Sequence, residues 1–192
     1  MLKKLFERLY RLIIQPAKTW NILADEKEEE IVDNNSFLKT YLYPAIGIVA
    51  LLTFVGVFFY KKEFDVQLAI RLMIKVLIAL FAGFYLASFI LSKVMEHIFF
   101  MANSYKLCQR FVGYSSALIY AMYILLAIFP DYGFLQLFLL YTIYIIWEGA
   151  SDYMQIPENE RNRFTAIATA IILLSPFIIE KMMFLTMPGM RT

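Results

Sequence analysis

The sequence predicts an all-α polytopic membrane protein, a five-helix transmembrane bundle with an amphipathic helix at its N-terminus. Three observations predict this class. Of 192 residues, 61% are hydrophobic and 18% charged, with a mean hydropathy of +0.63, whereas a soluble domain averages about 45–50% apolar and about 25% charged. The apolar residues gather into five long runs, each near the roughly 20 residues a helix needs to cross a bilayer. Those runs lack the alternation of a membrane-barrel strand, so their backbone polar groups have to be satisfied within helices.

Residues 1–40 read as a separate N-terminal segment. Leu2, Leu5, Phe6, Leu9, Leu12 and Ile13 recur at helical spacing, opposite Lys3, Lys4, Glu7, Arg8 and Arg11. Such a helix suits the headgroup layer of an anionic membrane. It is equally suited to packing on the ends of the bundle, and the sequence leaves both open. Glu7, Arg8 and Arg11 interrupt the apolar stretch and no small-residue cleavage site follows Pro16, so the segment reads as retained rather than as a cleaved signal. The run Asp25-Glu26-Lys27-Glu28-Glu29-Glu30 reads as a solvated linker.

The membrane domain is expected at 41–181, with spans at about 41–60, 72–92, 111–129, 133–151 and 164–181, and a short tail at 182–192. The first run is free of charge, and the second is interrupted only by Lys75. Pro130-Asp131-Tyr132-Gly133 leaves room only for a tight turn, so spans three and four should form an antiparallel hairpin. The fifth run carries Ser175-Pro176 near its end, with Glu180-Lys181 just beyond its apolar part. Pro157-Glu158-Asn159-Glu160 reads as the first turn of the helix that leads into it.

Lysine and arginine set the expected orientation. With the N-terminus cytoplasmic, that side carries twelve: Lys3, Lys4, Arg8, Arg11, Lys18, Lys27, Lys39, Lys93, Lys106, Arg110, Arg161 and Arg163. The other side carries five, Lys61, Lys62, Arg71, Lys181 and Arg191, with Lys75 set aside as intramembrane. The imbalance predicts the N-terminus inside and the C-terminus outside.

Small residues recur every four positions at Ala79, Gly83 and Ala87, at Gly113, Ala117 and Ala121, and at Ala166 and Ala170. The spacing lets helix backbones approach closely, either within the bundle or across a dimer face. Lys75 lies a few residues from the outer end of its span, where its stem can snorkel to the interface; a paired or functional lysine is the alternative. Tyr141, Tyr144, Glu148 and Asp152 share one helical face. Two carboxylates below two tyrosines suit a cation or proton entry site, or else a tyrosine belt where the helix leaves the membrane.

Enzyme chemistry finds little support. His97 is the only histidine, which excludes a bis-histidine haem site and an HExxH metal site. Ser115 and Ser116 offer a serine for a dyad with it, without any sign of the geometry. Glu96-His97 reads as an interfacial pair. Cys108 is the only cysteine, so no internal disulfide forms. No phosphate-cradling glycine loop is present, no cofactor is expected, and a net charge of +2 implies no nucleic-acid partner. The expected partners are the lipid bilayer and other membrane proteins or further copies of the chain. A small transporter or channel using Glu148, Asp152 and Lys75 is the alternative class, although the chain lacks paired broken helices and an inverted repeat.

These features together resemble the Yip1 domain family in its bacterial form. The residues that carry the likeness begin with Pro16 to Trp20, then Phe37, and Tyr41-Leu42-Tyr43-Pro44 leading into the first span. Gly113-Tyr114-Ser115 opens the third span, Pro130 ends it, and Tyr141, Tyr144 and Gly149 close the fourth. Eukaryotic members carry Asp-Leu-Tyr-Gly-Pro before the first span; Thr40 to Pro44 keeps an aromatic and the proline but lacks the Asp and Gly. The proline common soon after Gly-Tyr-Ser is also missing. The resemblance implies a non-enzymatic, multi-pass scaffold of a bacterial inner membrane. The small-GTPase binding of eukaryotic relatives is not expected where their signature is lost.

Overall fold

The structure, a computed structural model, describes residues 2–26, 34–60, 65–101, 105–129 and 132–186. Regular structure among them is entirely helical. Five stretches are long and apolar enough to cross a membrane: Asn35–Phe59, Val66–His97, Tyr105–Ile128, Gly133–Asp152 and Glu158–Thr186. These are spans one to five. Two shorter helices, α1 (Leu2–Ile14) and α2 (Pro16–Asp25), precede them. The bundle end that carries α1 and α2 is termed proximal, the other distal. Glu28 to Glu30, the Pro130-Asp131 turn and residues 187–192 lie outside the described residues.

Local chemistry explains where the spans begin. Asp65 caps span two, its carboxylate accepting the Leu68 N–H at 3.0 Å, and so satisfies one of the orphan donors of the first turn. Span five starts just after Pro157 with Glu158 and Glu160 in its first turn, where the helix dipole favours acids. Span one starts earlier than its apolar run. A short α-helix, Asn34–Phe37, passes through a π-turn at Leu38–Leu42 into Tyr43–Tyr60. Pro44 lies just past that turn, and its ring and missing N–H would disrupt an α-helical bond to Thr40. The wider π-turn accommodates both.

Span two packs between spans one and five, span three lies on spans one and two, and span four leans on span five. Two of the three stripes of small residues are used within the chain, at Ala79-Gly83-Ala87 and at Gly113-Ala117, whereas Ala166 and Ala170 stay exposed. A Cβ on Gly83 would sit 2.9 Å from the backbone of Pro176. The Ala79-Gly83-Ala87 face is therefore the seat of the proline inside span five. Gly113 lies under the Phe37 ring, and Gly56 faces the carbonyl of Ala127. Four hydroxyls inside the spans bond back along their own helices: Thr53 to Val49 O, Ser88 to Phe84 O, Ser116 to Val112 O and Ser175 to Ile171 O. None of these four needs water.

The N-terminal helices pack on the proximal ends. Leu5 and Leu12 of α1 and Trp20 and Leu23 of α2 are buried. Next to Leu5 on the same apolar side of α1, Phe6 stays 50% exposed; Tyr10, further round, is 65% exposed. The apolar face of α1 is thus divided between the bundle and its surroundings.

Candidate functional site

Three constellations stand out, and the proximal hub is the most heavily built. Trp20 is fully buried, its indole Nε1 donating to Ile145 O at 2.8 Å. Phe111 stacks on it at 5.4 Å, Tyr153 lies at 5.2 Å, and Tyr114 meets it edge-on at 6.1 Å. Gly149 makes the fit possible, since a Cβ there would lie 2.6 Å from the indole. Phe37 and Tyr41 extend the cluster through Tyr114, and Phe164 extends it through Phe111. Arg8 of α1 donates to the Tyr114 hydroxyl at 3.2 Å and pairs with Glu26 at 3.0 Å. Rings from α2, spans one, three and five, and Tyr153 just past span four thus meet in one cluster. Aromatic pairs of this kind add to the stabilisation of area burial.

The proximal rim holds two of the carboxylates singled out in the sequence. Glu148 lies 3.7 Å from Arg161, whose guanidinium covers the Trp147 ring at 4.3 Å and donates twice to Trp147 O, at 3.0 and 2.8 Å. Arg161 therefore fastens the end of span four to the start of span five. Asp152 accepts from Ser151 Oγ at 2.9 Å. Tyr141 and Tyr144 contact each other at 5.5 Å, and both are exposed. The opposite face of the helix, Thr142, Ile145, Ile146, Gly149 and Ala150, is the buried one. The four residues keep their common side, and its tyrosines face away from the other spans. Nearby, Glu96 pairs with Lys93 at 2.8 Å and lies 3.9 Å from His97.

The third constellation is distal. Lys75 Nζ of span two is 3.5 Å from Glu180 Oε2 of span five, and Tyr123 of span three donates to the other oxygen of Glu180 at 2.9 Å. The Lys75 and Glu180 side chains are 30% and 22% exposed. Glu180 and Tyr123 also border a cavity of about 480 Å³, shared with Gln136 of span four. Lys75 is therefore a paired lysine, and it lies far from Glu148 and Asp152 along the bundle.

The sequence missed Trp20 as an anchor and Glu180 as the partner of Lys75. Trp20 entered only through the family resemblance, and Glu180 read as the charged edge of span five. Among the described residues, no group of three or more His, Cys, Asp or Glu is placed to hold a metal.

Five apolar spans held by interior small-residue seats, with ion pairs at the two ends, define a multi-pass α-helical membrane protein. The fold alone carries the description no further. The Yip1 domain matches this chain over residues 10–179, from the middle of α1 to the distal part of span five. The chain belongs to the Yip1 domain family. Comparisons with curated proteins and with solved structures gave no significant match.

Proposed function

We propose that this chain is a non-enzymatic membrane scaffold, which engages other membrane proteins or further copies of itself through its proximal face. In this reading it resides in the inner membrane of a bacterium, with α1 and α2 in the cytoplasm. Yip1 proteins are generally non-enzymatic membrane proteins, which agrees with the poor catalytic content of the sequence. The observation that carries the reading is the insertion of Trp20 between spans three and four. It makes α2 part of the bundle, so that residues 2–26 and the proximal rim form one shaped surface rather than a loose arm. That rim carries exposed charges at Lys93, Glu96, Lys106, Glu158 and Arg163, and paired charges on a rigid frame suit selection among partners.

Crosslinking in intact cells, followed by capture in mild detergent, tests this. A reproducible set of membrane partners should be lost when Lys93, Lys106 and Arg163 are changed to Glu, and kept by Lys75→Met. Partners indifferent to the rim would overturn the reading.

The alternative, transport through Glu148 and Asp152, has less behind it. Arg161 already neutralises Glu148, and the face above it, at Tyr141 and Tyr144, points outward. Flux abolished by Glu148→Gln with Asp152→Asn, at unchanged expression, would restore it.

A further inference from the structure

Beneath α1, between spans one and three, runs a groove of about 340 Å³ whose walls include Leu9, Tyr10, Ala45, Ile48, Ala121 and Leu125. The span residues in it belong to apolar stretches of membrane-crossing helices, so the groove opens sideways at the level of lipid chains. From Ala117 to Leu125, both in its wall, the helix rises about 12 Å, the scale of an acyl segment rather than of a single side chain. Small residues at Ala45, Ala117 and Ala121 keep it open.

Its roof has the opposite character. Tyr10 also lines a second cavity, of about 430 Å³, between α1 and α2, together with Arg11, Lys18, Gln15 and Glu7. Arg11 is held by Glu7 at 2.6 Å, and Lys18 is exposed beside them. Lys3 and Lys4 are exposed at the far end of α1, away from this cavity. Phe6 and Ile14 are themselves exposed along the same helix. An apolar slot at membrane level and a net-positive cavity above it therefore meet at one tyrosine. Neither half alone would select a ligand: any hydrocarbon fits the slot, and any anion fits the cations.

We propose that α1 and spans one and three form a binding site for an anionic glycerophospholipid. One acyl chain lies between Ala45 and Ala121, and the phosphate is held at the α1–α2 junction near Lys18. The proposal does not rest on the scaffold reading, because the groove faces lipid whichever proteins bind the rim. A lipid seated there fills the space between α1 and the spans, so its headgroup becomes part of what holds α1 in place.

The test uses the full chain reconstituted in phosphatidylcholine vesicles containing phosphatidylglycerol with a photoactivatable group midway along one acyl chain. Labelled peptides should concentrate on residues 5–10, 45–49 and 117–125. The expected excess is about fivefold over exposed apolar positions elsewhere, such as Leu51, Phe89 and Leu174, and it should fall about fivefold on Lys18→Gln, and much less on Lys3→Gln at the far end of α1. Ala121→Phe should abolish the excess while the protein stays monodisperse; should that variant not fold, the wild-type label map alone decides. Even labelling of all lipid-facing positions overturns the proposal. So does equal labelling by the matching phosphatidylcholine probe, which would indicate annular lipid only. Crosslinks between two chains through Ala45 and Ala121 also overturn it, since a second copy would then cover the groove.

Discussion

Around Trp20, aromatic rings from span three and the end of span four close on the indole with a glycine cut to fit; around Glu180, three polar side chains meet beside a cavity of about 480 Å³. The hub around Trp20 is fixed by shape and the site around Glu180 by charge. Ring packing falls off steeply with any gap, so it fixes one arrangement of the elements it joins. An ion pair in a partly open site tolerates small displacements, and its net worth is modest. The distal part of span four fits this contrast, with Phe134, Leu137, Phe138 and Leu140 all exposed and none of Gly133–Tyr141 buried. The chain is firm where it meets its N-terminal helices and thinly packed along the first part of span four.

Substitutions can break or sharpen this contrast. The largest effect is expected from Trp20→Ala, which empties the hub and should cost about 3–5 kcal/mol. Thermal unfolding in detergent checks the loss, and faster proteolysis within residues 2–26 should accompany it. Glu180→Gln leaves Lys75 facing a neutral group and should cost about 2 kcal/mol, less than a fully buried pair would. The double variant Lys75→Met with Glu180→Met should recover most of that loss in the same melt, because it removes both charges. Gly149→Ala forces Trp20 or Phe111 aside and should cost about 1–2 kcal/mol, with a shift in tryptophan fluorescence as the local readout. Leu137→Ala, on the exposed stretch of span four, should change the melt by less than about 0.5 kcal/mol. A large effect there would mean that the first part of span four is packed as tightly as the hub.

The features legible in the sequence were those with a period or a length. Uncharged runs located five spans, and the alternation of leucines and basic residues located α1. Repeats of Ala and Gly marked the seats at Gly83 and Gly113. Periodicity also placed Tyr141, Tyr144, Glu148 and Asp152 on one side of a helix, but it says nothing of which side faces the neighbours, and their tyrosines face outward. The Lys75–Glu180 pair depends on the vertical register of spans two and five, 105 positions apart in the chain. That register is set by Gly83 meeting Pro176, a contact with no local signature. Trp20 was the hardest to read. A tryptophan at a membrane surface commonly marks the interface itself, and only the fold shows a glycine waiting beneath it.

Span four carries a mechanical consequence. Its first nine residues, Gly133–Tyr141, wind as a 3-10 helix before Thr142–Asp152 continues as α. At about 2.0 Å per residue in the first part and about 1.5 Å in the second, its twenty residues reach about 34 Å, against about 30 Å for uniform α winding. Rewinding the thinly packed stretch as α would shorten the helix by about 4–5 Å, exchanging each i→i+3 backbone bond for an i→i+4 one. Bilayers of different cellular membranes differ in thickness by a similar amount. The close contacts at Gly83 and Gly149 lie outside the stretch that would rewind.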